Sequence, residues 1–369
     1  MRIAQIAPLA ERVPPKKYGG TERVIYNLTE ELVKLGHEVT LFASGDSKTS
    51  ARLVALYPKS IRELGLKDIY GLNIPSMINT GTAYAMQEEF DVIHDHNPHL
   101  GLPTANIAQV PVVMTWHGPF NDEIIQYFTA LNRTYLVSIS ESQRRGAPSL
   151  PFAGTVYNGL AMDNYPFSGR HKDYLLYVGR IDLEKGTHTA IDLAAASGRR
   201  LVIAAKYDDR VPRIRWYFQH YIEPRLRKHK KLVRWVGEVG EAKRNELMKN
   251  ASCMLHPITW LEPFGLTLIE AMACGCPVVA FNLGSMPEII ENGKTGFVVE
   301  TFEQALDAIK MADKIDRRYC RRYALNNFNA KKMALGYEAV YRRIIKKHRR
   351  QFSSFLPKAK KSSLLTDAA

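Results

Sequence analysis

Between Glu262 and Glu270 the chain reads EPFGLTLIE, two carboxylates eight positions apart around a Phe-Gly turn that opens an apolar helix. A helix starting near Gly265 leaves the amides of Leu266 and Thr267 without intrahelical carbonyls, and their positive pole suits an anion such as a diphosphate. Glu270 falls one turn further on, above Leu266. A carboxylate beside a phosphate is repelled unless it accepts hydrogen bonds, and the vicinal diol of a ribose offers two donors. Glu262 stays on the loop, at the other end of the site. The strand-like ASCMLHPI ahead of the glycine makes this a strand–loop–helix site for a sugar diphosphate. The competing reading is that two acids near a helix start only complement its dipole.

Three other stretches carry chemistry. In YLLYVGRIDLEKG, Arg180 and Lys185 leave a strand end and enter the next helix. Two cations there suit the negative charge that a departing nucleoside diphosphate gains in a closed, water-poor cleft; the alternative is a surface ion pair with Asp182 or Glu184. No Asp-x-Asp pair of the metal–nucleotide type occurs, so protein cations stand in for Mg²⁺ and no metal cofactor is expected. In PPKKYGG, Gly19 and Gly20 precede the helical pattern TERVIYNLTEEL, where glycines allow close backbone approach to a ligand or make a simple turn. His94 and His96 alternate at a strand end and so point to one side, with Asp95 opposite; His117 follows the strand VVMTW. All three are expected at a cleft mouth, against the alternative of histidines satisfied by backbone at strand ends. A metal held by two of them lacks a clear third ligand. Ser140 with Glu141, Asn158 with Gly159, and Gly284 with Glu288 sit at loops that shape a cleft or hinge, Gly284 equally reading as a helix-start glycine.

The elements that position these residues follow from alternation. Apolar runs RIAQIAP, EVTLFAS, DVIHDH, VPVVMTW and YLVSIS are separated by helical periodicity, starting with a helix from about Thr21 to Gly36. A second series runs DYLLYVG, RLVIAAK, LVRWVG, ASCMLHPI, PVVAF and GFVVE. This is the pattern of parallel sheets covered by helices, in two doubly wound α/β domains. The join falls in Asn158–Asp173, where Gly, Pro, Asn and charge replace the periodicity. The expected units are 1–162, 163–329, and a final helix with a basic tail over 330–369. Ligands of such folds bind in the crevice outside strand C-termini.

A chain of 369 residues with 46% hydrophobic content is too long for one core and suits two. Its 51 Lys and Arg against 37 Asp and Glu give a net charge of +14, which favours anionic partners without choosing among phosphates, lipid headgroups and nucleic acid. Cys253, Cys274, Cys276 and Cys320 fit neither a disulfide framework nor a zinc spacing, so a reducing cytoplasm is expected. MRIAQIAPLAER is too short and polar for a secretory signal, and no apolar run reaches the ~18 residues that cross a bilayer. In RIRWYFQHYIEPRLRKHKKLVRW, the aromatics Trp216, Tyr217, Phe218 and Tyr221 suggest base stacking or, at helical spacing, core contacts. RRYCRRY and YRRIIKKHRR read as solvated basic faces; alternatively Tyr341, Ile344 and Ile345, beside Arg342, Arg343, Lys346 and Lys347, lie on an anionic membrane surface.

EPFGLTLIE, with GRIDLEKG and the glycine loop, resembles the retaining glycosyltransferases of family 4, a likeness that covers most of the chain. The resemblance implies a GT-B fold with a final helix packed back across the first domain. It implies that Glu270 binds the donor ribose, that Glu262 contacts the donor sugar, and that Arg180 and Lys185 hold the phosphates. It places Phe264, Gly265, Leu266 and Thr267 at the substrate, Gly20 beside the donor phosphates and acceptor, and His117 against the transferred sugar, for positioning and charge stabilisation. Gly237 and Glu238 become base-side candidates with a buried turn as the alternative, His96 a substrate-side candidate, and Lys16 with Lys17 collectors of an anionic acceptor. The implied activity is transfer of a hexose, first glucose from UDP-glucose, to a hydroxyl of a glycan, a lipid-linked acceptor or a small molecule, with retention and without nucleic acid. No side chain is read as a covalent nucleophile. A nucleotide-sugar epimerase of the same fold, a non-catalytic nucleotide-sugar sensor and a nucleic-acid-binding protein are the alternatives.

Overall fold

The computed structural model describes residues 1–66 and 69–353. Most of the expected basic tail lies outside the described residues.

The first series of apolar runs forms a parallel sheet of seven strands, β1 (Arg2–Ile6), β2 (Glu38–Phe42), β3 (Arg52–Val54), β4 (Val92–Asp95), β5 (Val112–Thr115), β6 (Tyr135–Ser138) and β7 (Phe152–Thr155). Their order is β3-β2-β1-β4-β5-β6-β7. The second forms a six-stranded parallel sheet of β8 (Leu175–Arg180), β9 (Leu201–Lys206), β10 (Val233–Trp235), β11 (Cys253–His256), β12 (Val278–Phe281) and β13 (Gly296–Val299), in the order β10-β9-β8-β11-β12-β13. β4, β5 and β11 are buried at every position, as strands covered by helices on both faces must be. Strand order reverses between β1 and β4 and between β8 and β11, and the crevice at such a reversal is where doubly wound sheets take ligands. The sequence pattern missed β3 and β7: β3 is only three residues long and β7 contains a glycine, too little for an apolar period to register.

Two features tie the sheets into one unit. The final helix, Ala330–Ser353, returns to the first domain, where Met333, Ala334, Tyr337, Val340, Tyr341 and Ile344 join Val24, Leu28 and Leu32 of the helix Gly20–Lys34 in one core. Tyr341 is 0% and Ile344 2% exposed. This corrects the reading that placed them on a membrane: an amphipathic helix long enough to reach the other domain has a protein surface for its apolar stripe, leaving the basic face to solvent. Among the described residues no helix is long and apolar enough to cross a membrane. Where the chain crosses between domains, Leu160 N–H donates to Phe328 O and Ala330 N–H to Leu160 O, each at 3.0 Å. A Cβ on Gly159 would stand 2.3 Å from Asn329 O, so the crossings lie too close for a larger residue.

The aromatic basic segment splits. Tyr217 is buried and Phe218 stacks on Tyr207, with ring centroids 4.3 Å apart, but Trp216 stays half exposed against His220. All four cysteines are buried and free.

Glu288 is an interdomain contact. From the short helix Met286–Ile289 it accepts the N–H groups of Glu141 (2.8 Å) and Ser142 (2.5 Å) at the start of the helix Glu141–Arg145, and the hydroxyl of Tyr157 at 3.0 Å. Losing it orphans those donors, which costs ~1–3 kcal/mol. Glu288→Ala is therefore expected to lower the urea midpoint clearly, whereas Lys310→Ala, which removes an exposed pair with Asp307, should leave it unchanged.

Candidate active site

The helix Leu266–Ala273 begins at Gly265, whose φ of 83° is left-handed, and the amides of Leu266 and Thr267 head its first turn. A Cβ on Gly20, at the start of the helix Gly20–Lys34, would lie 3.3 Å from Leu266 Cδ1. Two helix N-termini, one from each domain, thus meet across the cleft, and both poles favour an anion there.

Glu270 is 1% exposed. Its Oε1 accepts from Arg244 (2.6 Å) on the helix Glu241–Asn250 and from Arg23 (2.8 Å) of the opposite domain. Tyr165 Oη lies 3.5 Å away. All three contacts fall on Oε1. A buried carboxylate is tolerated only with such compensation. Glu270, Arg23 and Arg244 line a cavity of about 100 Å³ together with Gly20, Leu266, Thr267 and Glu238. Glu238 also accepts the Tyr18 N–H at 3.3 Å; Gly237, at φ 75°, makes the turn beside it and does not line the cavity.

An adjoining cavity of about 430 Å³ is lined by Arg180, Lys185, Glu262, Phe264, His117 and Gly20 among others. Lys185 Nζ bonds Glu262 Oε2 at 2.5 Å and stands 4.1 Å over the Trp260 ring, whose Nε1–H donates to the same oxygen at 3.0 Å. Arg180 is paired with Glu184, and its Nε lies 3.4 Å from Asp182. The proposed phosphate cations and the ion-pair alternative are thus both present: the cations reach the cleft while carboxylates neutralise them. Lys17 lines the smaller cavity, whereas Lys16 turns outward to Glu63. Gly284, at φ 68°, packs against the Glu262 backbone, where a Cβ would meet Glu262 O at 2.3 Å.

The histidines do not converge as expected. His117 lines the larger cavity. His96 lies behind it, its Nδ1 3.0 Å from His117 Nε2. His94 is fully buried between Tyr341 and Thr115, at 2.7 and 2.8 Å, so the returning final helix removes it from the cleft mouth. Burial pushes the His117 ring down to about 4. At neutral pH it therefore carries no charge, and its ring is available to the cavity only as a neutral hydrogen-bonding group. Among the described residues no three His, Cys, Asp or Glu side chains group to hold a metal.

The model of the family described as Glycosyl transferases group 1 matches residues 167–326, and that of Glycosyltransferase Family 4 matches residues 18–149. The chain is a group 1 glycosyltransferase of the family 4 type. It is similar to the glycogen synthase of Mycobacterium tuberculosis, 26% identical over 77% of this chain and 79% of that one. It is also similar to the phosphatidyl-myo-inositol mannosyltransferase of that organism, 26% identical over 85% and 86%. Among solved structures, the Anabaena protein Alr3699/HepE in complex with UDP-glucose shares the fold, with a TM-score of 0.65, 20% identity and coverage of 96% of this chain and 100% of that one. The GT-B architecture of two facing α/β domains is thereby established, and the protein is an enzyme of the transferase class.

Several residues of the glycosyltransferase's cleft escaped the sequence reading. Arg23 and Arg244 reach Glu270 from sequence separations of 247 and 26 residues, which no local pattern shows. His256, ending β11, lay inside the run ASCMLHPI already singled out, and Trp260 falls between that run and Glu262. His256 Nε2 is buried without a hydrogen bond, 3.8 Å from Glu262. Glu22 stands two positions after Gly20. It is 5% exposed, lines the larger cavity and is pushed up to about 7, first by burial and then by nearby Glu11, with Arg62 opposing.

The Glu22 shift has a stability consequence. The unfolded carboxyl titrates near 4.5 and the folded one near 7, so the folded state binds the extra proton between those values. Its contribution is complete below pH 4.5 and is lost as pH rises through 7, a change on the order of 3 kcal/mol. Glu22→Gln should flatten that part of a stability-versus-pH curve measured by urea unfolding, and an unchanged slope between pH 4.5 and 7 contradicts the assignment.

Proposed function

We propose that this glycosyltransferase moves a hexose from a nucleotide sugar to an acceptor hydroxyl with retention at the anomeric carbon, and that UDP-glucose is the first donor to test. The observation that carries the reading is the meeting of the amide pole of Leu266–Ala273 with Arg180 and Lys185 in one interdomain cleft. That constellation suits a diphosphate, and Glu270 beyond it keeps Oε2 outside its three contacts, an acceptor suited to a ribose hydroxyl. UDP-glucose is supported by the likeness to a protein solved with it, and an acceptor hydroxyl on a polyol or a lipid-linked headgroup by the likeness to an inositol-lipid mannosyltransferase.

In the proposed course the bond from the anomeric carbon to the leaving phosphate oxygen breaks as the acceptor oxygen bonds the same face. The acceptor proton passes to the leaving oxygen. Arg180, Lys185 and the helix amides stabilise the diphosphate as it gains charge. Lys185 exchanges part of its contact with Glu262 for phosphate, which frees Glu262 to bind sugar hydroxyls. Neutral His117 positions the sugar, and closure of the two domains keeps water from the anomeric carbon. No step runs through a metal. A cytoplasmic site of action, with any peripheral contact to an anionic membrane made by the basic face of the final helix, belongs to the same proposal.

Thermal shift against a panel of nucleotide sugars is expected to give the largest rise with the true donor, since a ligand of the native state alone stabilises it. With that donor, Glu270→Ala and Arg180→Ala should each lose most transfer while keeping the wild-type circular dichroism. Near-normal turnover in either overturns the site assignment. Epimerised sugar from donor incubated alone would replace the transferase mechanism with an epimerase.

A further inference from the structure

Behind His117 a line of buried polar groups runs from the cleft to the final helix. His117 Nε2 lies 3.0 Å from His96 Nδ1, and His96 Nε2 lies 2.9 Å from Gln5 Oε1. Gln5 Nε2 donates to the Tyr341 hydroxyl at 3.2 Å, and that oxygen lies 2.7 Å from His94 Nδ1. His94 Nε2 ends the line at Thr115 Oγ1, 2.8 Å away, with the Tyr337 hydroxyl 3.0 Å beyond. Gln5, His94, Thr115, Tyr337 and Tyr341 are all 0% exposed and His96 is 4% exposed, so the groups must satisfy one another.

With the Gln5 amide placed so that Nε2 faces Tyr341 and Oε1 faces His96, the chemistry of each group fixes where the hydrogens lie. An amide oxygen only accepts, so Gln5 Oε1 requires the hydrogen of His96 on Nε2. Burial holds His94 and His96 well below the ordinary histidine range, and a neutral imidazole carries one N–H. His96 Nδ1 is therefore a bare acceptor, and the hydrogen in its contact with His117 belongs to His117 Nε2. His117 is neutral too, which leaves its Nδ1 bare, and Nδ1 is the one ring nitrogen it has left for the cavity it lines. On the other side, Tyr341 accepts from Gln5 and gives its own hydrogen to His94 Nδ1, so His94 holds a hydrogen on Nε2 for Thr115.

We propose that Gln5 and Tyr341 are positioning residues that set His117 in its Nε2–H tautomer, so that Nδ1 presents a lone pair to a hydroxyl of the sugar in the cleft. The identity of that hydroxyl's owner rests on the transferase reading above; the tautomer does not. The arrangement gives the returning helix a role beyond packing, because Tyr341 and Gln5, 336 residues apart, act on the His117 ring through His96, which hydrogen-bonds it.

Nitrogen-15 NMR of the histidine-labelled full chain at pH 7 tests the tautomer directly. The expected spectrum shows His117, assigned by its loss in His117→Gln, with hydrogen on Nε2 and a bare Nδ1. Hydrogen on Nδ1, or an averaged mixture, overturns the proposal, since either requires the Gln5 amide to be turned round or the chain to be broken. Gln5→Leu removes the acceptor for His96; His117 should then show both tautomers. KM for the nucleotide sugar should rise about ten-fold, the loss of roughly one hydrogen bond, with kcat and the affinity for the nucleoside diphosphate alone little changed. Gln5→Glu, buried as the neutral acid, keeps an acceptor for His96 and a donor for Tyr341 and should restore both tautomer and KM. An unchanged tautomer and KM in Gln5→Leu overturns the role of Gln5. If that variant does not fold, the wild-type spectrum still decides the tautomer. A spectrum as expected from a protein that binds no nucleotide sugar sinks the transferase reading and leaves the tautomer assignment standing.

Discussion

A carboxylate taken almost wholly out of water must be met by cations, and Glu270 is met from both sides of the cleft. Arg244 comes from its own domain and Arg23 from the other, so satisfying one buried charge also draws the two sheets together. Because breaking a buried pair leaves an uncompensated charge, the gap between the domains, the approach of Gly20 to Leu266 and the small cavity beneath them are all set by the same cluster. Glu241, 3.7 Å from Arg23 and 3.8 Å from Arg244, extends it.

The same logic runs along the cleft. Arg180 is held by Glu184 and Asp182, Lys185 by Glu262, and Arg62 by Glu11. A diphosphate entering such a site exchanges partners with these carboxylates rather than meeting bare cations. Exchange of this kind lowers the net gain from each contact, but the helix amides, which have no carboxylate to release, retain their full preference for the anion. The pole of Leu266–Ala273 is therefore the fixed element and the side-chain cations the adjustable ones. Glu288, accepting amides of Glu141 and Ser142, and the paired crossings at Leu160 and Ala330 hold the opposite end of the interface.

Much of this was legible from local pattern. EPFGLTLIE reads as a helix start with an acid one turn inside it because glycine, helix pole and four-residue spacing are all short-range properties. Both parallel sheets were likewise visible in the runs of apolar residues, apart from the short edge strands β3 and β7. What stayed hidden depends on contacts far apart in sequence. Arg23 looks like any surface arginine of an amphipathic helix until the second domain brings Glu270 to it. His94 and His96 share a strand face, yet one faces Tyr341 and the other His117, a division decided by where the final helix lands. Tyr341 and Ile344 have the spacing of a membrane-facing stripe, and only the fold shows that a protein surface already covers them.

The most direct measurement is a crystal structure of the protein with a bound nucleoside diphosphate. The account predicts the diphosphate at the amides of Leu266 and Thr267, within reach of Arg180 and Lys185, and a ribose hydroxyl on Glu270. A diphosphate bound elsewhere, with those amides and Glu270 untouched, would contradict it.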